Sequence, residues 1–132
     1  MLCLKRVVVV PSSRAEVSIG GLSIVLQPIT LFRKALIPFK DGSLTQAGRA
    51  LTKHPEVVGL TKLTLRQTYG TDVAINRVAR DTLKQIMRRG VRTTPVLPRY
   101  GAIIQCQIPG SFGARWYATG TWVGTFIGFI SP

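Results

Sequence analysis

Acidic side chains are scarce in this chain: Glu16, Asp41, Glu56, Asp72 and Asp81 are the only five among 132 residues. They are scattered, and a two-metal nuclease needs clustered carboxylates to hold its ions, so that chemistry is not expected. Histidine is scarcer still, with His54 alone. Cys3 and Cys106 form no C-x-x-C pair, and one histidine cannot complete an ordinary His/Cys zinc site. No metal ligands and no cofactor are therefore assigned, and two reduced thiols are expected. No G-x-x-x-x-G-K-[ST] loop, G-x-G-x-x-G fingerprint or G-x-S-x-G elbow occurs, so nucleotide-binding folds and α/β-hydrolases find no support. Long apolar runs are missing too. Val7–Val10 stops at Pro11, too soon for a signal-peptide core. The stretch from Leu22 to Pro38 is broken by Arg33, Lys34 and proline before it reaches the ~20 residues of a spanning helix. No membrane span is expected.

What is abundant is positive charge. Eighteen Lys and Arg give a formal net charge of +13, while 45% hydrophobic residues suffice for a real core. A small basic domain of this kind has an acidic partner: nucleic acid, an anionic surface or an acidic protein. Phosphate contacts gain from counterion release, which puts nucleic acid first.

Turn signals divide the N-terminal part into expected strands Arg6–Val10, Glu16–Ile19 and Leu22–Leu26. Residues 1–42 therefore read as a β-rich extension or connector, and residues 43–132 as the main domain. Ser43 is the expected N-cap of a helix from Leu44 to His54, with Leu44, Ala47 and Leu51 on one face. His54 continues that face, so its ring is expected to point into the domain, beside a cationic edge of Arg49 and Lys53. A loop through Gly59 and Gly70 leads to a second helix, Asp72 to Arg89, with Thr71 as N-cap and Gly90 as the stop. Strands follow over Val91–Val96, Tyr100–Ile108, Ala114–Ala118 and Thr121–Ile130. Helices followed by antiparallel strands predict an α+β domain with helices on one face of the sheet.

A lone histidine among arginines, lysines, threonines and tyrosines suffices for RNA cleavage without metal. The 2′-hydroxyl is an internal nucleophile; a neutral His can take its proton, and a cation can stabilise charge on phosphorus. The same composition equally suits a non-catalytic RNA- or DNA-binding protein.

The run Leu44-Thr45-Gln46-Ala47-Gly48-Arg49-Ala50-Leu51-Thr52-Lys53-His54-Pro55 resembles the L-T-x-A-G-R-A-L-x-K-H-P opening of C-terminal toxin domains in bacterial polymorphic toxins, of the contact-dependent inhibition and Rhs types. The likeness continues in order through Leu83–Met87, Arg99-Tyr100-Gly101, Gly113-Ala114-Arg115-Trp116 and Gly124–Phe129. Those domains are similar to the barnase–EndoU–colicin–RelE superfamily, two helices on a curved antiparallel sheet whose concave face holds RNA. The resemblance implies metal-independent endoribonuclease activity, often on tRNA, in the cytoplasm of a target cell reached as part of a larger toxin. It also implies neutralisation by a cognate acidic immunity protein. Carried over, it makes Lys53, His54, Arg115 and Tyr100 the candidate catalytic residues. Arg49, Arg99, Thr94 and Trp116 become candidate substrate contacts. The stretch from Tyr117 to Val123 is longer than the usual link to the last strand, and residues 1–42 have no counterpart.

Overall fold

The structure, a computed structural model, describes residues 26–132. The expected strands Arg6–Val10 and Glu16–Ile19 lie outside the described residues, as does Leu22–Leu26 apart from Leu26, a buried turn residue. Beyond Leu26, where no strand was expected, the described part of the N-terminal extension holds a helix. Helix α1 (Pro28–Ala35) begins with Pro28, whose missing amide hydrogen is not needed in a first turn and whose ring presets φ. Leu31 and Ala35, four residues apart, then share the buried side.

Helix α2 (Gln46–Lys53) starts two residues later than expected, with Thr45 as its cap: Thr45 Oγ1 accepts from the Gly48 amide at 2.9 Å. A distant residue decides this. Asn76 takes the Thr45 amide on Oδ1 at 2.9 Å and donates Nδ2 to the Ser43 carbonyl at 2.8 Å. The Ser43 hydroxyl instead donates to Asp72. After Lys53 the backbone leaves the helix, and Pro55 opens a 3₁₀ turn, Pro55–Val58, closed by Gly59 at φ +76°. The expected loop between Gly59 and Gly70 contains a further helix, α3 (Lys62–Thr68). Thr61 and Thr64 cap each other reciprocally there, and only Leu65 is buried.

Helix α4 (Asp72–Arg89) has the expected bounds. Thr71 Oγ1 accepts from the Ala74 amide, and Ile75, Ala79, Leu83, Ile86 and Met87 are buried at helical spacing. Gly90 ends it for a reason other than left-handed geometry, since its φ is −85°. A Cβ there would lie 2.5 Å from the Ile86 carbonyl oxygen and 2.8 Å from Cys106 Sγ, so only glycine allows the close approach. Cys106 is itself disulfide-bonded, which corrects the expected reduced thiol.

Five strands follow: β1 (Val91–Thr93), β2 (Val96–Leu97), β3 (Gly101–Gln107), β4 (Gly113–Tyr117) and β5 (Phe126–Ile130). They form an antiparallel sheet in the order β1-β3-β4-β5, with β2 also paired to β3. The expected strand Val91–Val96 is split at Thr94-Pro95. Proline cannot donate to a ladder, although the Pro95 carbonyl still accepts from Ile103 at 3.0 Å. The expected strand from Thr121 is shortened because Gly120 and Gly124, at φ +86° and +83°, fold Thr121–Gly124 into a turn.

One face of the sheet presents Ile104, Cys106, Ala114, Trp116, Phe126 and Phe129 to the core shared with α1, α2 and α4. The Trp116–Phe126 and Phe126–Phe129 rings meet edge to face at 5.4 and 5.5 Å, and Trp116 Nε1 donates to the Leu31 carbonyl of α1 at 2.9 Å. The fold is thus α+β, with four helices among the described residues rather than two.

Candidate nucleic-acid interface and histidine cluster

Alternation along β3 and β4 sends the partners of the buried core residues to the other face. Cross-strand register places Arg115 opposite Gln105 on β3 and Gly128 on β5. Arg115 Nε donates to Gln105 Oε1 at 2.8 Å, and Gln105 in turn donates to Gln107 at 3.1 Å. Glycine at 128 puts no side chain beside the guanidinium. Two residues along β4, Tyr117 meets Tyr100 edge to face with centroids 5.9 Å apart, and the Arg99 guanidinium lies 5.6 Å from the Tyr100 ring. The β2–β3 turn delivers that pair: the Tyr100 amide donates to the Leu97 carbonyl, and Gly101 at φ +74° reverses the chain. The result is a strip of Arg99, Tyr100, Tyr117, Arg115 and Gln105. Guanidinium groups suit phosphates and half-buried aromatic rings suit stacking on unpaired bases. Thr94 lies exposed just beyond β1, on the neighbouring edge.

Tyr117 and Gln105 were not among the residues expected here. Their signal was the two-residue period itself, which sets Arg115 and Tyr117 opposite to Trp116. The same period removes Trp116 from the substrate contacts: it is fully buried, with its indole N–H committed to α1, and offers no ring face to a base.

His54 lies elsewhere, in the helical layer. It is the C-cap of α2, at φ −130° and ψ 62°, so the helical face ending at Leu51 does not extend to it. Its side chain is 48% exposed, and Nδ1 lies 2.9 Å from Glu56 Oε2. The expectation of a ring aimed into the domain is corrected by that change of backbone direction. Ser131, just past β5, donates its hydroxyl to the same Glu56 oxygen at 2.9 Å. The Glu56 carboxyl is held below the usual range by its own backbone N–H and then by the His54 contact, with burial opposing and the Ser131 hydroxyl adding to the lowering. Lys53 is exposed beside His54, whereas the Arg49 guanidinium lies 5.2 Å from the Phe39 ring.

No hydrogen bond, ion pair or ring contact joins His54 to Arg115, Tyr100 or Arg99. Exposed Arg77, Arg80, Lys84 and Arg88 add a cationic ridge along α4, where among the described residues only Arg80 has an acidic partner, Asp81 at 3.2 Å. Their spacings of three and four residues keep them on one side of the helix. Among the described residues, no group of three or more His, Cys, Asp or Glu could hold a metal, and no helix is long and apolar enough to cross a membrane. Comparison with family models, curated proteins and solved structures finds no match to this chain.

Proposed function

We propose that this chain is a metal-independent endoribonuclease toxin. Its best substrate candidate is tRNA, its inhibitor a cognate acidic immunity protein, and its site of action the cytoplasm of a target cell. His54 accepts the proton of a 2′-hydroxyl, the 2′-oxygen attacks phosphorus, and the bond to the 5′-oxygen breaks as that oxygen takes a proton from water. The products are a 2′,3′-cyclic phosphate and a 5′-hydroxyl end. Lys53 supplies fixed positive charge next to the histidine. Arg115, Arg99 and Tyr100 hold the RNA strand through phosphate and base contacts.

The observation that carries this reading is His54 itself: the sole histidine is accessible, bonded through one ring nitrogen, and set beside Lys53 in a chain of net charge +13. A polyanion is thereby drawn to a proton acceptor that works near neutral pH. A second reading, a non-catalytic RNA- or DNA-binding protein, is favoured by the separation of His54 from the Arg115–Tyr117 strip. The strip would then bind alone, with His54 a surface residue.

Incubation of the purified chain with total RNA in EDTA, followed by mapping of the new ends, decides between them. Cleavage leaving 2′,3′-cyclic phosphate ends is expected. Activity that vanishes in EDTA and returns with Mg²⁺ overturns the mechanism; binding without cleavage of any RNA selects the second reading.

A further inference from the structure

Glu56 reaches His54 by an arrangement that its place in the sequence does not suggest. His54 is already outside α2, and Pro55 fixes the next φ, so the chain turns tightly and brings the carboxylate of residue 56 back onto the imidazole of residue 54. One carboxylate oxygen, Oε2, then receives two contacts of 2.9 Å, from His54 Nδ1 and from the Ser131 hydroxyl. An ionised carboxylate only accepts, so Nδ1 must carry the proton in that contact. Ser131 comes from the far end of the chain, 75 residues away, and ties the carboxylate to the sheet.

We propose that Glu56 is a positioning residue that holds the His54 imidazole in the tautomer protonated on Nδ1, with Ser131 as its anchor. The inference rests on the reading that His54 accepts the 2′-hydroxyl proton. Which ring nitrogen of a histidine is protonated is set by the bond its other nitrogen makes. A free neutral imidazole in water favours the proton on Nε2, which would leave that nitrogen without a lone pair. With the proton held on Nδ1 by Glu56, Nε2 presents its lone pair outward. Nε2 makes no hydrogen bond among the described residues, so it is the nitrogen that meets substrate. Lys53, the neighbouring cation, supplies charge beside the ring but cannot choose between its nitrogens. Glu56 therefore supplies orientation and tautomer, and takes no proton itself.

The test combines nitrogen NMR of the ¹⁵N-labelled histidine, at a pH where the ring is neutral, with single-turnover cleavage of total RNA. The intact chain should show the Nδ1-protonated form. Glu56→Ala should shift the ring toward the Nε2-protonated form, and Glu56→Gln, whose amide oxygen still accepts, should keep much of the original signature. Cleavage by Glu56→Ala should fall about 10- to 100-fold, the scale known for losing a partner that orients a metal-ligating histidine, with half-saturating RNA unchanged. Ser131→Ala should produce a smaller shift of both readouts in the same direction. An unchanged tautomer in folded Glu56→Ala overturns the proposal, as does a tautomer switch with no loss of rate while His54→Ala is inactive. If neither the intact chain nor any variant cleaves RNA, the ribonuclease reading fails, and the NMR result still decides whether Glu56 sets the tautomer.

Discussion

Gly48→Ala should destabilise this protein even though alanine is the better helix former. In an exposed helix interior the exchange would gain about 0.8–1.0 kcal/mol. Gly48 is buried in α2 against α4, and a Cβ at that position would fall inside the contact distance of Asn76 Oδ1. The obstructing atom is the end of a rotatable side chain, so Asn76 can swing away. It then loses its bonds to the Thr45 amide and the Ser43 carbonyl, which hold the start of α2. Two such bonds at about 0.5–1.5 kcal/mol each are worth roughly 1–3 kcal/mol, leaving a net loss of up to about 2 kcal/mol. The sign should reverse once Asn76 is removed: in an Asn76→Ala background, Gly48→Ala should stabilise by about 1 kcal/mol. Urea denaturation of the four proteins, with m values compared to confirm two-state unfolding, closes the cycle. Stabilisation by Gly48→Ala in both backgrounds would refute the argument.

Trp116→Phe keeps most of the ring packing but loses the bond to Leu31; a cost of about 1–3 kcal/mol is expected, with faster amide exchange in α1, and unchanged exchange there would contradict that tie. The Glu56 carboxyl is held low chiefly by its own backbone N–H, and that of Asp72 chiefly by the Ser43 hydroxyl and then Arg66. Folded values below the unfolded ones mean that the unfolded chain takes up protons first. The stabilisation is therefore full above the ordinary values of 4.5 and 3.8 and is lost as pH falls through and below them. Urea titrations from pH 6 to pH 3 should show a shallower decline for the Glu56→Gln, Asp72→Asn double variant than for the intact chain; equal slopes would contradict it. RNA binding with about four to six phosphate contacts should give a slope of roughly −3 to −5 in log K against log salt, and Arg115→Ala should flatten it by about one contact; a slope near zero would assign the charge to another partner.

Helix α4 was legible because every local signal agreed: Thr71 at the cap, a regular apolar face and Gly90 held by its neighbours. The beginning of α2 was not, because Ser43 and Thr45 are both good caps and the choice is made by Asn76, 31 residues from Thr45. Helix α3 buries one residue, so it leaves almost no periodic trace in the sequence. In the last strand, β-prone Thr121, Trp122 and Val123 outweighed the glycines on either side, yet positive φ at Gly120 and Gly124 makes the segment a turn. The candidate residues were legible as types and less so as places. Arg115 and Tyr100 reach one strip because strand alternation is local and register follows from short connections. His54 was misaimed by continuing a helical period one residue past the point where Pro55 ends it. Glu56 looks in the sequence like one of several scattered acids, since only a folded turn brings it back to His54.

Ribonuclease action by this chain requires that His54 take up a proton during RNA cleavage. Single-turnover cleavage by His54→Ala in EDTA, measured beside equilibrium RNA binding and with circular dichroism to confirm folding, tests it most directly. General acid–base catalysis typically contributes about 10²–10⁴ in rate, so a loss of at least that order is predicted, with affinity almost unchanged because a neutral imidazole adds little attraction for phosphate. Wild-type cleavage by the folded variant would contradict the claim.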